Sequence, residues 1–332
     1  MGKMRNYLGV VFAYCVLWMS VPLFAEIQIL ESGYQVEVYA RYTNAGRNAA
    51  RMSFDPQGNL YITQVNDQIN KVTTSKEVIY DWATGFNTPW GIVDSSGTGY
   101  GDKLYVTDHS GGRIAAVSYS GAVSTFCTLS APTGIAIDRS INNGGTMYVG
   151  TAGDDKIYKI SQDGQKTVFS SYFSSLSNGG IAEMEFAPST KYNNSLYVCS
   201  WSSTEAKSGL YAINNLGQVV RFGQNVIWGS DLNFDTAGLF GEDLFITGKL
   251  QTTDTMQLLR VNENGLATPF IYNTLGELNG FAFGNDGALY IHEFSYSGIS
   301  NILRITPIPE PATLLLLGVG LGAIRKRNTK TN

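Results

Sequence analysis

Phe54-Asp55-Pro56-Gln57-Gly58-Asn59-Leu60-Tyr61-Ile62-Thr63 reads as the end of one strand, a tight turn and the start of a second strand. Asp-Pro-x-Gly is turn chemistry, and Leu-Tyr-Ile-Thr has the alternation of a half-buried strand. The phrase recurs along the chain. Leu60-Tyr61 is followed by Leu104-Tyr105, Met147-Tyr148, Leu196-Tyr197, Leu244-Phe245 and Leu289-Tyr290, at intervals of 44, 43, 49, 48 and 45 residues. Self-similarity at such a period is the mark of a repeat architecture.

Working outward, an apolar strand and a turn precede each pair, as at Asn142-Asn143-Gly144-Gly145 and Asn285-Asp286-Gly287. A third strand follows, such as Lys156-Ile157-Tyr158 or Leu258-Leu259-Arg260, and then a glycine turn at Gly121, Gly164, Gly217 or Gly265. The fourth strand ends in an aromatic residue: Trp82, Phe126, Phe169, Phe222 and Phe270. Four antiparallel strands in about 45 residues make one blade of a β-propeller. The expected fold class is all-β, a six-bladed propeller of four-stranded blades. The sixth unit stops after its third strand, near Ile305, and the missing fourth strand is at the other end of the chain, from Gly33 to Tyr39. It has the same glycine start and aromatic end. This N-terminal strand is expected to close the last blade, so that the ring has no large unpaired edge.

The two ends stand outside the repeat. Lys3 and Arg5 precede an apolar stretch from Tyr7 to Phe24 that ends in Leu23-Phe24-Ala25. That is the pattern of a secretory signal peptide, residues 1–25, cut by signal peptidase after Ala25; the other reading is an uncleaved N-terminal anchor. At the far end, Pro309-Glu310-Pro311 leads into the apolar run from Ala312 to Ile324 and then Arg325-Lys326-Arg327. A helix over that run rises about 20 Å, short of the roughly 30 Å hydrocarbon core, and prolines bar its smooth extension upstream. The segment is expected to be a short transmembrane-type helix, with its cations held on the cytoplasmic side. Without cleavage it would act as a plain anchor. The arrangement over 307–332 closely resembles the PEP-CTERM sorting tag of exopolysaccharide-producing Gram-negative bacteria. The resemblance implies transient insertion in the inner membrane, cleavage by exosortase, and release to the cell surface or extracellular matrix.

The propeller is assigned to residues 26–306. This body carries 17 Lys+Arg against 26 Asp+Glu, a net charge of −9, which argues against nucleic acid and anionic membranes as partners. Two cysteines survive processing, Cys127 and Cys199; they fall on different blades, so neither a disulfide nor a catalytic thiol is expected.

Aligning the units gives one equivalent position per innermost strand: Arg51, Gly91, Gly134, Glu183, Asp231 and Gly280. Arg51 of the first blade faces the fourth in a six-membered ring, so it should oppose Glu183 with Asp231 alongside. A cation facing two carboxylates suits a sugar, a metal such as calcium bound by Glu183 and Asp231, or a structural ion pair. The exits of the second strands give Gln64, Asp108, Thr151, Ser200, Gly248 and Glu293, with His109, Trp201, Lys249 and His292 beside them. Trp201 can stack on a sugar or cover a blade edge. His109 is a candidate base or a solvated loop residue; Asp108 points to the opposite face of its strand and is not expected to orient it.

Residues 33–40 followed by Phe54–Thr63 also look like the opening of soluble propellers related to quinoprotein sugar dehydrogenases and NHL-repeat proteins. That resemblance implies, as one alternative, a dehydrogenase using pyrroloquinoline quinone and calcium, with His109 as base and Arg51 or Lys249 as cation. A calcium-dependent lactonase with Glu183, Asp231 and Asp108 as ligands is another. No G-x-S-x-G, H-E-x-x-H or C-x-x-C occurs in the body. The expectation is therefore a non-catalytic module, with no resident cofactor, that binds exopolysaccharide or a surface protein.

Overall fold

The computed structural model describes residues 27–42, 51–64, 67–139, 144–174, 179–188, 190–202, 207–253, 255–273, 276–295 and 300–309. The N-terminal leader, the expected C-terminal helix and the Arg325-Lys326-Arg327 tail lie outside them.

Two strands precede the first blade, β1 (Ile27–Ile29) and β2 (Tyr34–Tyr42). The first blade is β3 (Met52–Phe54), β4 (Leu60–Gln64), β5 (Gln68–Val72) and β6 (Val78–Thr84), and the second is β7 (Pro89–Asp94), β8 (Leu104–Asp108), β9 (Arg113–Val117) and β10 (Val123–Thr128). The third is β11 (Pro132–Asp138), β12 (Thr146–Thr151), β13 (Ile157–Ile160) and β14 (Lys166–Ser170). The fourth comprises β15 (Gly179–Phe186), β16 (Leu196–Ser202), β17 (Gly209–Ile213) and β18 (Val219–Arg221). The fifth runs through β19 (Val226–Phe234), β20 (Leu244–Leu250), β21 (Gln257–Val261) and β22 (Ala267–Asn273). The sixth has β23 (Gly276–Phe283), β24 (Leu289–Ser295) and β25 (Ser300–Pro307), completed by β2 on the outside.

The innermost strands touch in a closed circle, β3 to β7, β11, β15, β19, β23 and back to β3. The expected closure is therefore present: β2 pairs antiparallel with β25, from Tyr34 opposite Pro307 to Tyr42 opposite Ser300. The repeat reading did not anticipate β1. It pairs with β22, Ile27 opposite Asn273, and gives the fifth blade a fifth, outermost strand. Ile27 and Ile29 flank Gln28 and pack against the cluster that holds Phe270 and Ile271.

The hydrophobic core lies between blades, in six wedges, one at each interface. Between the first two blades, for example, Tyr61 and Ile69 meet Ile92, Leu104 and Val106. The aromatic residues that mark the repeat pair within each blade. Ring centroids lie 4.6 Å apart for Tyr61–Trp82, 4.9 Å for Tyr105–Phe126, Tyr148–Phe169, Tyr197–Phe222 and Tyr39–Tyr290, and 5.2 Å for Phe245–Phe270. Most are edge-on, the geometry that ring quadrupoles favour. An aromatic on the second strand therefore requires one on the fourth, which is why both recur in the sequence.

The glycine turns between third and fourth strands have a matching cause. At Gly265 φ is +78°, and a Cβ there would stand 2.1 Å from the carbonyl oxygen of Phe222 on the preceding blade. Gly121 meets the Trp82 carbonyl in the same way, at 2.6 Å. Each turn rests on the backbone of the neighbouring blade, so Gly265→Ala combines backbone strain with a clash. The expected cost is about 1–3 kcal/mol, read as a lower denaturant midpoint. An unchanged midpoint would mean that the fourth and fifth blades part freely at this turn.

Candidate functional site

Arg51, Glu183 and Asp231, from the first, fourth and fifth blades, meet on the axis. Arg51 Nε lies 3.2 Å from Glu183 Oε2 and 3.6 Å from Asp231 Oδ1, and Nη2 donates to the Ser230 carbonyl at 2.7 Å. All three residues are buried, at 3%, 6% and 2% exposure. Glu183 Oε1 also accepts from the amides of Ile135 (2.8 Å) and Met184 (3.1 Å). Asp231 Oδ1 accepts from the Leu232 amide at 2.9 Å and Oδ2 from the Phe281 amide at 3.0 Å. The cluster thus ties the first, third, fourth, fifth and sixth blades. The glycines at the equivalent positions leave room for that approach: a Cβ on Gly134 would stand 2.7 Å from Glu183 Cα.

Burial pushes both carboxyl groups above their ordinary range, and Arg51 with the amide donors pulls them back. The charge on Asp231 raises Glu183 further. Calcium does not suit this set. Calcium takes six to eight oxygen ligands, whereas all four carboxylate oxygens here accept from N–H donors and a guanidinium already lies between them. Among the described residues no group of three or more His, Cys, Asp or Glu side chains is arranged to hold a metal.

The second-strand exits do not converge as the axial residues do. Asp108 is buried and pairs with Arg113 Nε at 2.8 Å and the Asn87 amide at 2.6 Å. His109 leans on Trp90, ring centroids 5.8 Å apart, and burial lowers its pKa against the pull of Asp108. Trp201 stacks on Trp228 at 6.0 Å, a partner the sequence reading did not single out, and Lys249 lies over Trp228 in turn. One face of the Trp201 indole is therefore covered by protein. Thr151 donates to Asp154 and Ser200 to the Lys207 carbonyl, both at 2.6 Å, while Gln64 lies opposite Gln68. Gly248 abuts the Trp228 carbonyl. Glu293 is buried and accepts from Asn301 Nδ2 at 2.9 Å; burial raises its pKa and takes the neighbouring His292 down to about 4, leaving that imidazole neutral. Cys127 and Cys199 are both free.

The opposite end of the axis holds a feature that the sequence reading missed. Where the innermost strands run into their turns, a cavity of about 530 Å³ is lined by residues of all six blades, including Asp94, Arg139, Glu185, Asn233, Phe283 and Asn285. Met184 and Phe186 pack towards the third blade around Tyr148. Glu183 and Glu185 alternate with them and so leave that face; Glu183 meets Arg51 and Glu185 lines the cavity. Burial pushes Glu185 up to about 7, opposed by Arg139. The signal was present in Glu183-Met184-Glu185-Phe186, an acidic-apolar alternation on an innermost strand; comparing one position per blade passed over its second acid.

The raised Glu185 value sets a direction for stability. The folded state holds the proton longer than the unfolded chain, so stability falls as pH rises from the ordinary glutamate range through about 7. Glu185→Gln removes that slope. Above pH 7 the variant is expected to be more stable by ~1–2 kcal/mol after discounting for partial exposure. Urea unfolding at pH 5 and pH 8 measures it, and equal slopes in both proteins would contradict the assignment.

Residues 307–327 match the PEP-CTERM protein-sorting motif, and such a motif implies export and exosortase processing. No curated protein matches the chain in sequence. Among solved structures, an auxiliary nutrient binding protein from Bacteroides ovatus superposes with a TM-score of 0.60 at 13% identity, over 84% of this chain and 77% of that one. Virginiamycin B lyase from Staphylococcus aureus gives 0.51 at 13%, over 84% and 90%. A gluconolactonase from Xanthomonas campestris gives 0.50 at 15%, over 81% and 90%. At such identities the likeness is one of fold. The chain is a six-bladed β-propeller that carries a PEP-CTERM sorting motif.

Proposed function

We propose that this protein is an exported, exosortase-processed propeller that binds glycan at the cell surface or in the extracellular matrix without catalysing a reaction. The observation that carries this reading is the sorting motif at 307–327 joined to a ring whose axial charges are engaged with one another. Of the two cations offered to a quinone, Arg51 donates instead to Glu183 and Ser230 and pairs with Asp231, while Lys249 lies over Trp228. The three acids that a lactonase would offer to calcium, Glu183, Asp231 and Asp108, each accept from a backbone amide. The fold-level likeness to a nutrient binding protein is compatible with binding.

The mature protein, purified from its native host, tests the reading. Its intact mass should correspond to a chain cut near Pro309-Glu310-Pro311, and it should co-sediment with the host's exopolysaccharide. A full-length C-terminus would contradict the processing step, and a protein left wholly in the supernatant would contradict glycan binding. A thermal melt with calcium plus pyrroloquinoline quinone should show no shift. A ligand at 100 times its Kd adds about 2.7 kcal/mol, so a rise that needs both additives would instead establish the dehydrogenase.

A further inference from the structure

We propose that the cavity at the turn end of the axis is the glycan subsite: it takes the end of an uncharged polyhydroxylated chain, held by Glu185, Asn233 and Asn285. The inference rests on the glycan-binding reading above and adds the place and the class of sugar.

The cavity sits at one end of the axis and is lined from all six blades. On the axis behind it stand Arg51, Glu183 and Asp231, buried and bonded to one another. Its volume of about 530 Å³ falls within the range of small-molecule sites. The rim is set in advance by bonds that do not involve a ligand. Asp55 accepts from the Asn59 amide at 2.8 Å and from the Tyr61 hydroxyl at 2.9 Å. Arg139 donates to the carbonyls of Ser96 and Asp94, while Asp94 accepts from Ser96 and Tyr119. A pre-set rim loses little freedom on binding.

Other polar groups remain for a ligand. Among the described residues, Glu185 has Arg139 and Asp231 as its charged neighbours, with the Phe186 amide beside it. Asn285 Nδ2 donates to the Asp55 carbonyl at 2.9 Å, which fixes the amide and leaves its Oδ1 to accept. Asn233 brings a second amide to the wall. A carboxyl and two amides are planar donors and acceptors suited to neighbouring hydroxyls. The half-buried Phe283 lines the same cavity and offers a surface to the C–H face of a sugar ring. The charge in the wall selects further: Asp55 and Asp94 outnumber Arg139 even when Glu185 carries a proton, so an anionic sugar is repelled. A carboxyl held near neutrality by burial can also donate to a hydroxyl oxygen.

The test is calorimetric titration of the mature protein with disaccharides of glucose, galactose, mannose and N-acetylglucosamine, beside one containing glucuronic acid. At least one neutral disaccharide should bind and the acidic one should not. Glu185→Ala and Asn233→Ala should each weaken binding about tenfold, the effect of losing one buried hydrogen bond to a ligand. Leu216→Ser, on an exposed turn of the fourth blade, should leave it unchanged. Glu185→Gln, expected to fold at least as well as the parent, keeps the test valid if an alanine variant fails to fold; it should alter the pH dependence of binding near 7. If the host polysaccharide sediments wild type and the Glu185→Ala/Asn233→Ala double variant equally, the subsite is wrong and the glycan-binding reading stands. If neither polysaccharide nor disaccharide is held, both fall. Preference for the glucuronic acid disaccharide would overturn the inference on charge alone.

Discussion

Removing residues 26–42 should abolish cooperative folding of the ring. The deletion strips β2 from β25 along the whole register from Tyr34–Pro307 to Tyr42–Ser300. It uncovers the edge strand bearing Ile302 and Ile305, both fully buried, and takes the Tyr39 ring from Tyr290. It also removes β1 from β22, and Tyr34, which stacks on Phe240 at 5.2 Å. Domains are stable by about 5–15 kcal/mol, and the loss of a full ladder with several buried aromatic contacts is of that order. The sixth blade would keep three strands and present an open edge, the template for pairing with another chain. The expected result is a broad, non-cooperative denaturant curve and oligomers in size-exclusion chromatography. A synthetic peptide of residues 27–42 added during refolding should restore a monomer. A monomeric deletion variant with the parental midpoint would refute the idea that β2 holds the ring shut.

Arg51→Met should cost about 3–5 kcal/mol, because it leaves two buried carboxylates without their counter-charge. The loss is not the worth of the ion pair. It is chiefly the penalty on Glu183 and Asp231, whose pKa values burial already raises. Without Arg51 both rise further, so the folded variant binds more protons than the unfolded chain over a wider pH range. Stability of the variant therefore falls more steeply with rising pH: the deficit is largest near pH 8 and shrinks towards pH 5. Adding Glu183→Gln should recover much of it at pH 8, since an amide oxygen can still accept from the Ile135 and Met184 amides. Urea midpoints of the single and double variants at both pH values measure the effect. A small, pH-independent loss would mean that water reaches the axis and screens the charges.

Both experiments probe features that the chain announced in different degrees. The closing strand was readable because residues 33–39 repeat the glycine start and aromatic end of the other fourth strands. Those end residues recur because each blade must pair a ring on its second strand with one on its fourth. β1 was not readable: three residues, Ile27-Gln28-Ile29, are too short for a period, and they add to a blade to which they do not belong in sequence.

The chain by itself determined the blade period, the number of blades, the strand that closes the ring and the sorting motif, because each is a local pattern of turns, alternation or hydropathy repeated or bounded within the chain. It also placed Arg51, Glu183 and Asp231 at one level, because equivalent positions in a symmetric ring share a height on the axis. Only the tertiary structure decided what those residues do there: how far the guanidinium reaches, which amides each carboxylate accepts from, and hence that their charges are engaged internally. Only it could assemble the cavity around Glu185, whose wall draws from one to several residues from each blade, far apart in sequence and following no common pattern. Periodic sequence specifies the repeating backbone, while burial and charge at the axis arise from closing it, since they depend on six segments meeting at once.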